Sequence, residues 1–283
     1  RMIIYVCTSI LIPALSEYYL EIENRRHWNL LKGAQQAGIR LYISDAIIEE
    51  LKYHFKMLKN KYKSLFRHNE HIYLNSESET LYIDEIMIRA YFYAKAQKKV
   101  YTFEDFLSNF IDPDLNTVKD DLIGYLKSEF GITYVNDESM KINISAEEHL
   151  KLTEKLQELK SSKKAETDSK IILTIYKRRE KYNETATSGI FGYKTWWLSK
   201  DSTTYKAVSE LFGDTYPVSC YIRPDFLYNH IALAPKKHEV DELYKEVFPS
   251  LLGVNLSFHL PHEVTAFVQE RIAEHGTKNP ARG

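Results

Sequence analysis

Short apolar runs alternate with helical patterns along much of this chain, and that alternation restricts its fold more than any other feature. The runs predict buried strands because they are brief and rich in β-branched or aromatic residues. They are IIYV at 3–6, RLYI at 40–43, TWWL at 195–198 and PVSCYI at 217–222. Helical periodicity is predicted at 16–37, 45–67, 166–182 and 202–211. Strands that alternate with helices predict an α/β fold with a central parallel sheet flanked by helices.

The middle of the chain departs from this rhythm. Residues 70–164 carry mainly helical patterns, and ITYV with MKINI predicts one hairpin around Asn136. We therefore expect an α/β core from 1–69 and 165–235 and a mainly helical insertion over 70–164. Two amphipathic helices, at 237–247 and 261–274, and a tail are expected within 236–283.

Composition narrows the class of protein. With 44% hydrophobic and 27% charged residues in 283, the chain is expected to fold. Its net charge of -1 provides no overall attraction to nucleic acid or anionic lipid, so any such binding needs a local basic patch. Two cysteines without a CxxC pair predict no disulfide framework and favour a reducing, cytoplasmic location.

Several classes are disfavoured by missing patterns. The most apolar stretch, IIYVCTSILIPAL, is shorter than the ~20 residues that span a bilayer, so no membrane partner is expected. No glycine-rich phosphate loop or GxSxG string occurs, which disfavours nucleotide and serine hydrolysis. Arg1 precedes Met2, which suggests either an expression scar or a piece cut from a longer polypeptide, whose other domains or protein partners are then expected.

Three carboxylates stand where an α/β sheet collects its working groups. Asp201 follows the strand TWWL, Glu50 lies in the helix after RLYI, and Asp168 lies near the start of the helix over 166–182. Any one of them alone is more simply explained as a cap or a partner of the helix dipole. As a set they predict a site for Mg²⁺ or Mn²⁺, which take carboxylate oxygens.

The order of these residues resembles the PIN-like nuclease family. The matching strings are ISDAIIEEL at Glu50, ETDSKII at Asp168 and WLSKDSTTY at Asp201. Glu49 is the neighbouring alternative to Glu50, and Glu166 is the neighbouring alternative to Asp168. The first family position departs from the pattern, because Cys7 stands where the family has an Asp.

The resemblance implies a three-layer PIN-like fold and metal-dependent hydrolysis of phosphodiester bonds, in RNA rather than DNA. The family's catalytic positions then fall on Cys7, Glu50, Asp168 and Asp201, and its metal ligands on the three acids. Ser9, Ser199 and Thr203 are expected to contact phosphate or orient the ligands, with helix capping as the simpler alternative. A thiol is a poor ligand for Mg²⁺, so Cys7 indicates an engineered inactivating change, a member that has lost cleavage, or simply a small buried residue.

A basic stripe begins beside Glu50. Its members recur at three and four residues along one helix face and are Lys52, Lys56, Lys59, Lys63 and Arg67. Lys52, Lys56 and Lys59 are expected to bind the substrate backbone, although a solvated face without a partner explains the same pattern. Two further functions remain open: a non-catalytic PIN-like module that binds RNA or protein within a larger assembly, and a phosphatase or transferase acting on small molecules.

Overall fold

The computed structural model describes residues 2–75, 83–185, 192–201 and 203–232, without the side chains of Ser139 and Thr203. The helices predicted at 237–247 and 261–274 lie outside these residues. Among the helices described, none is long and apolar enough to cross a membrane.

A five-stranded parallel sheet forms the centre of the fold, with the strand order β3-β2-β1-β4-β5. The strands are β1 Ile3–Val6, β2 Arg40–Ser44, β3 Thr133–Val135, β4 Thr195–Leu198 and β5 Tyr221–Ile222. Every residue of β1 and β4 is buried, as expected for parallel strands covered on both faces. The predicted α/β class with a helix-flanked parallel sheet is confirmed.

Twelve α-helices are present in the described part of the chain. They are α1 Thr8–Ser16, α2 Arg26–Gln36, α3 Asp45–Lys61, α4 Glu70–Asn75, α5 Ile86–Ala96, α6 Phe103–Leu107, α7 Val118–Phe130, α8 Asp137–Met140, α9 Ala146–Gln157, α10 Ser162–Lys181, α11 Thr203–Phe212 and α12 Pro224–Ala232. A 3-10 turn at Ile22–Asn24 precedes α2, and a π-helical turn at Tyr62–Phe66 extends α3.

The first helix begins earlier than the periodicity indicated. The pattern predicted a loop and then one helix over 16–37, whereas α1 starts directly after β1 and contains Pro13. Its apolar face is fully buried, so packing outweighs the backbone hydrogen bond that proline cannot donate. Glu17 then accepts hydrogen bonds from the backbone N–H groups of His27 and Trp28 and so caps α2.

The hairpin predicted around Asn136 is wrong, and part of the predicted insertion belongs to the sheet. β3 pairs in parallel with β2, and a short helix follows it. The Asp45 carboxylate accepts hydrogen bonds from the Tyr134 hydroxyl and from the Asp137 backbone N–H, which joins the end of β3 to the start of α3. Residues 70–164 therefore provide the edge strand of the sheet as well as helices.

The buried stripe of α3 connects this middle segment to the core. Its members are at most 6% exposed and are Leu51, Phe55, Leu58, Tyr62 and Phe66. The rings of Tyr62 and Phe103 stack with their centroids 4.1 Å apart, and Phe55 lies against Phe110. The stripe thus fixes α3, and with it Glu50, between the sheet and the helices of the middle segment.

A candidate active site at the ends of β1 and β4

The strand order places a crevice at the carboxyl ends of β1 and β4. From β1 the chain adds β2 and β3 on one side of the sheet, and it later adds β4 and β5 on the other side of β1. The direction in which strands are added therefore reverses between β1 and β4, and in parallel sheets a crevice opens at such a point. The Cys7 backbone N–H donates to the Leu198 carbonyl at 3.0 Å, and the Lys200 backbone N–H donates to Ser9 Oγ at 3.2 Å. The start of α1 and the loop after β4 are therefore joined at this crevice.

Asp168 and Asp201 meet around the ammonium group of Lys160. Lys160 Nζ lies 2.6 Å from Asp168 Oδ2, 2.5 Å from Asp201 Oδ2 and 2.5 Å from Thr204 Oγ1. Asp168 is on α10, Asp201 follows β4, and Lys160 lies between α9 and α10. The Lys160 side chain is only 7% exposed and the Asp168 side chain 2%, so this contact is a buried ion pair.

The charges of this group depend on each other. Burial alone would lower the pKa of Lys160, but the negative charges of Asp168 and Asp201 outweigh it and the pKa is raised. Burial raises the pKa of Asp168, and the Lys160 ammonium acts in the opposite direction. Lys160 therefore remains a cation that two carboxylates share.

Glu50 adds a third acid with little compensation. Burial raises its pKa, and the charge of Asp168 raises it further, while a hydrogen bond with Thr8 and the more distant lysines oppose the rise. Its Oε2 atom is buried and has no hydrogen-bond partner in the described part of the chain. Other buried side-chain atoms share this state, among them Glu148 Oε2, so Glu50 is a site candidate because the unpartnered oxygen lies beside Asp168.

Cys7 caps a helix beside the acids. Its Sγ atom accepts a hydrogen bond from the Ser9 backbone N–H at 3.5 Å, at the amino end of α1. Burial raises the pKa of the thiol, and the charge of Glu50 raises it further, so it stays protonated. A neutral thiol contributes no negative charge at the family's first acidic position.

The exposure of the side chains shows which of two neighbouring acids, Glu49 or Glu50 and Glu166 or Asp168, can belong to the site. Glu49 is exposed and pairs with Lys52 on the surface, and Glu166 is also exposed. Glu50 and Asp168, in contrast, are on the side of their helices that faces the crevice. Cys7 and Glu50 interact electrostatically with Asp168, so these sequence-predicted positions do come together.

The predicted metal site has no ready-made ligand group. Among the residues that the structure describes, no three or more His, Cys, Asp or Glu side chains are grouped so that they could hold a metal ion. Lys160 instead provides the positive charge for Asp168 and Asp201. The assignment of Glu50, Asp168 and Asp201 as metal ligands therefore stays a prediction.

Some of the side chains predicted to contact substrate are free to do so, and others already bind groups of the protein. Lys56 is exposed, and no ion pair involves it among the described residues. Lys59 is directed elsewhere, since its ammonium donates to the Pro113 carbonyl oxygen. Ser199 is buried and its hydroxyl accepts from the Asp201 backbone N–H at 3.1 Å, so it orients the loop after β4. The Thr203 side chain lies outside the described residues.

Lys160 is the residue of this site that the sequence did not reveal. It lies in the lysine-rich stretch KLQELKSSKKAETDSK, where nothing in the local pattern separates it from its neighbours. Thr204, which donates to Asp201 Oδ2 at 3.0 Å, also occurs in an ordinary run of helix-starting hydroxyls. Only the tertiary fold shows that both side chains contact the acids.

Searches of protein-family models, curated proteins and solved structures found no match to this chain.

Proposed function

We propose that this protein is a PIN-like nuclease that hydrolyses phosphodiester bonds in RNA with the help of Mg²⁺ or Mn²⁺. The proposal depends on one observation: three acids from separate elements converge at the crevice between β1 and β4 with a single buried cation among them. Three carboxylates and one ammonium leave excess negative charge in a poorly solvated place. A divalent cation is the partner that such a donor set suits.

At three of the four positions of the PIN-like pattern this chain has a carboxylate, although the described residues form no ready-made group of three ligands. Glu50 offers its unpaired Oε2 atom, and Asp168 and Asp201 already hold one cationic group. Cys7 does not fit, because its protonated thiol is a poor ligand for a hard ion. Once bound, the cation would activate a water molecule and stabilise negative charge on the phosphate.

The protein's own groups orient these parts. Thr8 positions Glu50 through a side-chain hydrogen bond. Ser199 positions the loop after β4, because its hydroxyl accepts from the Asp201 backbone N–H. Exposed Lys56 lies one turn along α3 from Lys52 and two turns from Glu49, and it attracts the polyanionic backbone toward the crevice. Lys160 holds Asp168 and Asp201 together and competes with a divalent cation for their oxygens.

Restoring a carboxylate at position 7 tests the activity. Labelled single-stranded RNA and DNA are incubated with Mn²⁺ or Mg²⁺ and the unchanged chain, with Cys7→Asp, and with Cys7→Asp plus Asp201→Asn. We expect Cys7→Asp to raise cleavage about tenfold or more, and the second substitution or a chelator to remove the gain. Glu49→Gln in the Cys7→Asp background is the matched control. Absence of metal-dependent cleavage by Cys7→Asp contradicts the nuclease assignment.

Removing the buried ammonium tests the competition directly. Lys160→Met leaves Asp168 without its counter-charge, so we expect a loss of about 3 kcal/mol of stability in metal-free buffer. Mn²⁺ should then raise the melting temperature of this variant more than that of the unchanged chain, because the cation meets no competitor. Lys127→Met removes an exposed lysine of α7 that makes no ion pair among the described residues, and it should behave like the unchanged chain. Equal Mn²⁺ effects in both variants would show that Lys160 does not occupy a cation position.

A non-catalytic module is the second candidate, and two observations favour it. Lys160 satisfies two of the acids without a metal, and Cys7 gives the first position no charge. A scaffold of this kind would bind RNA or a protein inside a larger assembly. Unchanged RNA binding by all variants, together with no cleavage by any of them, is the result that would favour it.

A further inference from the structure

The exposed face of α3 next to Glu50 carries two large apolar side chains. Tyr53 is 45% exposed and Met57 is 46% exposed. Tyr53 follows Glu50 by three residues and Met57 follows Tyr53 by four, so the three positions are neighbours along one helix face. The aromatic ring therefore lies one helical turn from the acid cluster.

A lysine from the second acid-bearing helix lies over this ring. Lys163 Nζ is 3.3 Å from the ring centroid of Tyr53, a cation–π contact. Lys163 belongs to the first turn of α10, five residues before Asp168. Tyr53 and Lys163 thus connect the outer surfaces of the two helices that provide Glu50 and Asp168.

The charge around the ring is positive. Lys163 and Lys56 make no ion pair with an acid in the part of the chain that the structure describes, and Lys164 is close enough to act on the charge of both Glu50 and Asp168. Tyr53 itself makes no hydrogen bond among the described residues, so its ring is held by the contact with Lys163 and stays half-exposed. An open aromatic ring among unpaired cations is complementary to a base and its phosphate.

We propose that Tyr53 and Lys163 form a stacking platform for an unpaired base of single-stranded nucleic acid entering the crevice. This inference rests on the proposed function and adds the residues that contact an unpaired base outside the acid cluster. A duplex keeps the faces of its bases inside the stack, where the Tyr53 ring cannot reach them. The tryptophans of β4 do not compete for this role, because Trp196 and Trp197 are buried.

Binding without cleavage tests the platform. A labelled single-stranded RNA, a single-stranded DNA and a duplex of the same sequence are titrated with protein by fluorescence anisotropy, with EDTA present so that hydrolysis does not interfere. The proteins are the unchanged chain, Tyr53→Ala, Tyr53→Phe and Tyr101→Ala. Tyr101 is 77% exposed and lies before α6, so its variant controls for the loss of an exposed tyrosine. Melting temperatures of all four should agree, since neither tyrosine is in the core.

We expect Tyr53→Ala to weaken single-strand binding by about fivefold to a hundredfold, while Tyr53→Phe and Tyr101→Ala keep the affinity. Binding of the duplex should be equal for all four proteins. If Tyr53→Ala binds single strands as well as the unchanged chain does, the platform is disproved and the nuclease proposal is unaffected. If no protein binds any of the three nucleic acids, the proposed function fails together with the platform.

Discussion

Glu50 carries a charge that the surrounding protein does little to neutralise. Its Oε2 atom is buried without a partner among the described residues, and its pKa is raised by burial and by Asp168. A carboxyl whose pKa is higher in the folded protein than in the unfolded one destabilises the fold once it ionises. The cost is absent below the ordinary pKa of glutamate and grows as the pH rises through the folded pKa.

Glu50→Gln should therefore stabilise the protein at neutral and higher pH. The neutral amide removes the buried charge, and we expect a gain on the order of 1 kcal/mol at pH 8 that shrinks as the pH falls toward 5. Urea unfolding at several pH values measures it. Glu49→Gln, one residue away and exposed, should change stability little at any pH. If the gain in the free energy of unfolding is the same at every pH, ionisation of Glu50 does not destabilise the folded protein.

At the scale of the elements, the sequence predicted best where a pattern is local. The apolar runs of β1, β2 and β4 and the helix over 45–67 were correctly identified, because period and composition determine them. The strand ITYV was predicted but given the wrong partner, because the pairing of β3 with β2 is supported by Asp45, almost ninety residues away, which accepts hydrogen bonds from Tyr134 and Asp137. No local pattern in ITYV distinguishes a hairpin strand from a parallel edge strand.

The candidate site divides in the same way. Glu50 and Asp168 were predicted from their places in helices of the α/β pattern and Cys7 from the PIN-like resemblance, and the structure brings the three side chains close together. Lys160 was not predicted, because a lysine between two helices contacts these acids only after α9 and α10 have packed together. Lys59 was predicted to bind substrate, but its ammonium donates a hydrogen bond to the Pro113 carbonyl oxygen. This contact depends on the tertiary structure, so no local pattern in the sequence predicts it.

Arg179 shows how one side chain joins elements. It is 3% exposed, and its guanidinium donates to the backbone carbonyls of Thr195, Val218 and Ser219. It thereby connects α10 to β4 and to the segment before β5. Its positive charge lies among the rings of Tyr193 and Trp196, and burial lowers its pKa.

Arg179→Met should separate these elements. The substitution keeps much of the apolar volume but leaves three carbonyl groups without a donor, so we expect a loss of about 3 kcal/mol in urea unfolding followed by circular dichroism. Arg223→Met is the control, because Arg223 forms only an exposed pair with Asp225 and should cost less than about 1 kcal/mol. Similar losses for both variants would mean that the buried hydrogen bonds contribute little to stability.

At the scale of the whole molecule, the structure joins residues 70–164 to the core on several sides. β3 extends the sheet beside β2, and Phe130 of α7 lies against Trp28 of α2 with ring centroids 4.8 Å apart. Lys160, near the end of this segment, pairs with Asp168 and Asp201 of the core. We therefore expect the segment and the core to unfold in one cooperative transition.

The three tryptophans allow a test of this cooperativity. In a Trp28→Phe background only Trp196 and Trp197 remain, so fluorescence reports on β4 alone. Leu126→Ala in α7 removes a fully buried side chain far along the chain from β4 and should cost about 2–5 kcal/mol. If the molecule is one cooperative unit, Leu126→Ala lowers the urea midpoint of the tryptophan fluorescence and the urea midpoint of the circular dichroism signal by the same amount. Leu150→Ala, at a position 58% exposed on α9, should leave both transitions in place. If Leu126→Ala leaves the urea midpoint of the β4 fluorescence unchanged, residues 70–164 unfold separately from the core. The prediction of an independent insertion would then be correct, and its helices would not be needed to keep the crevice folded.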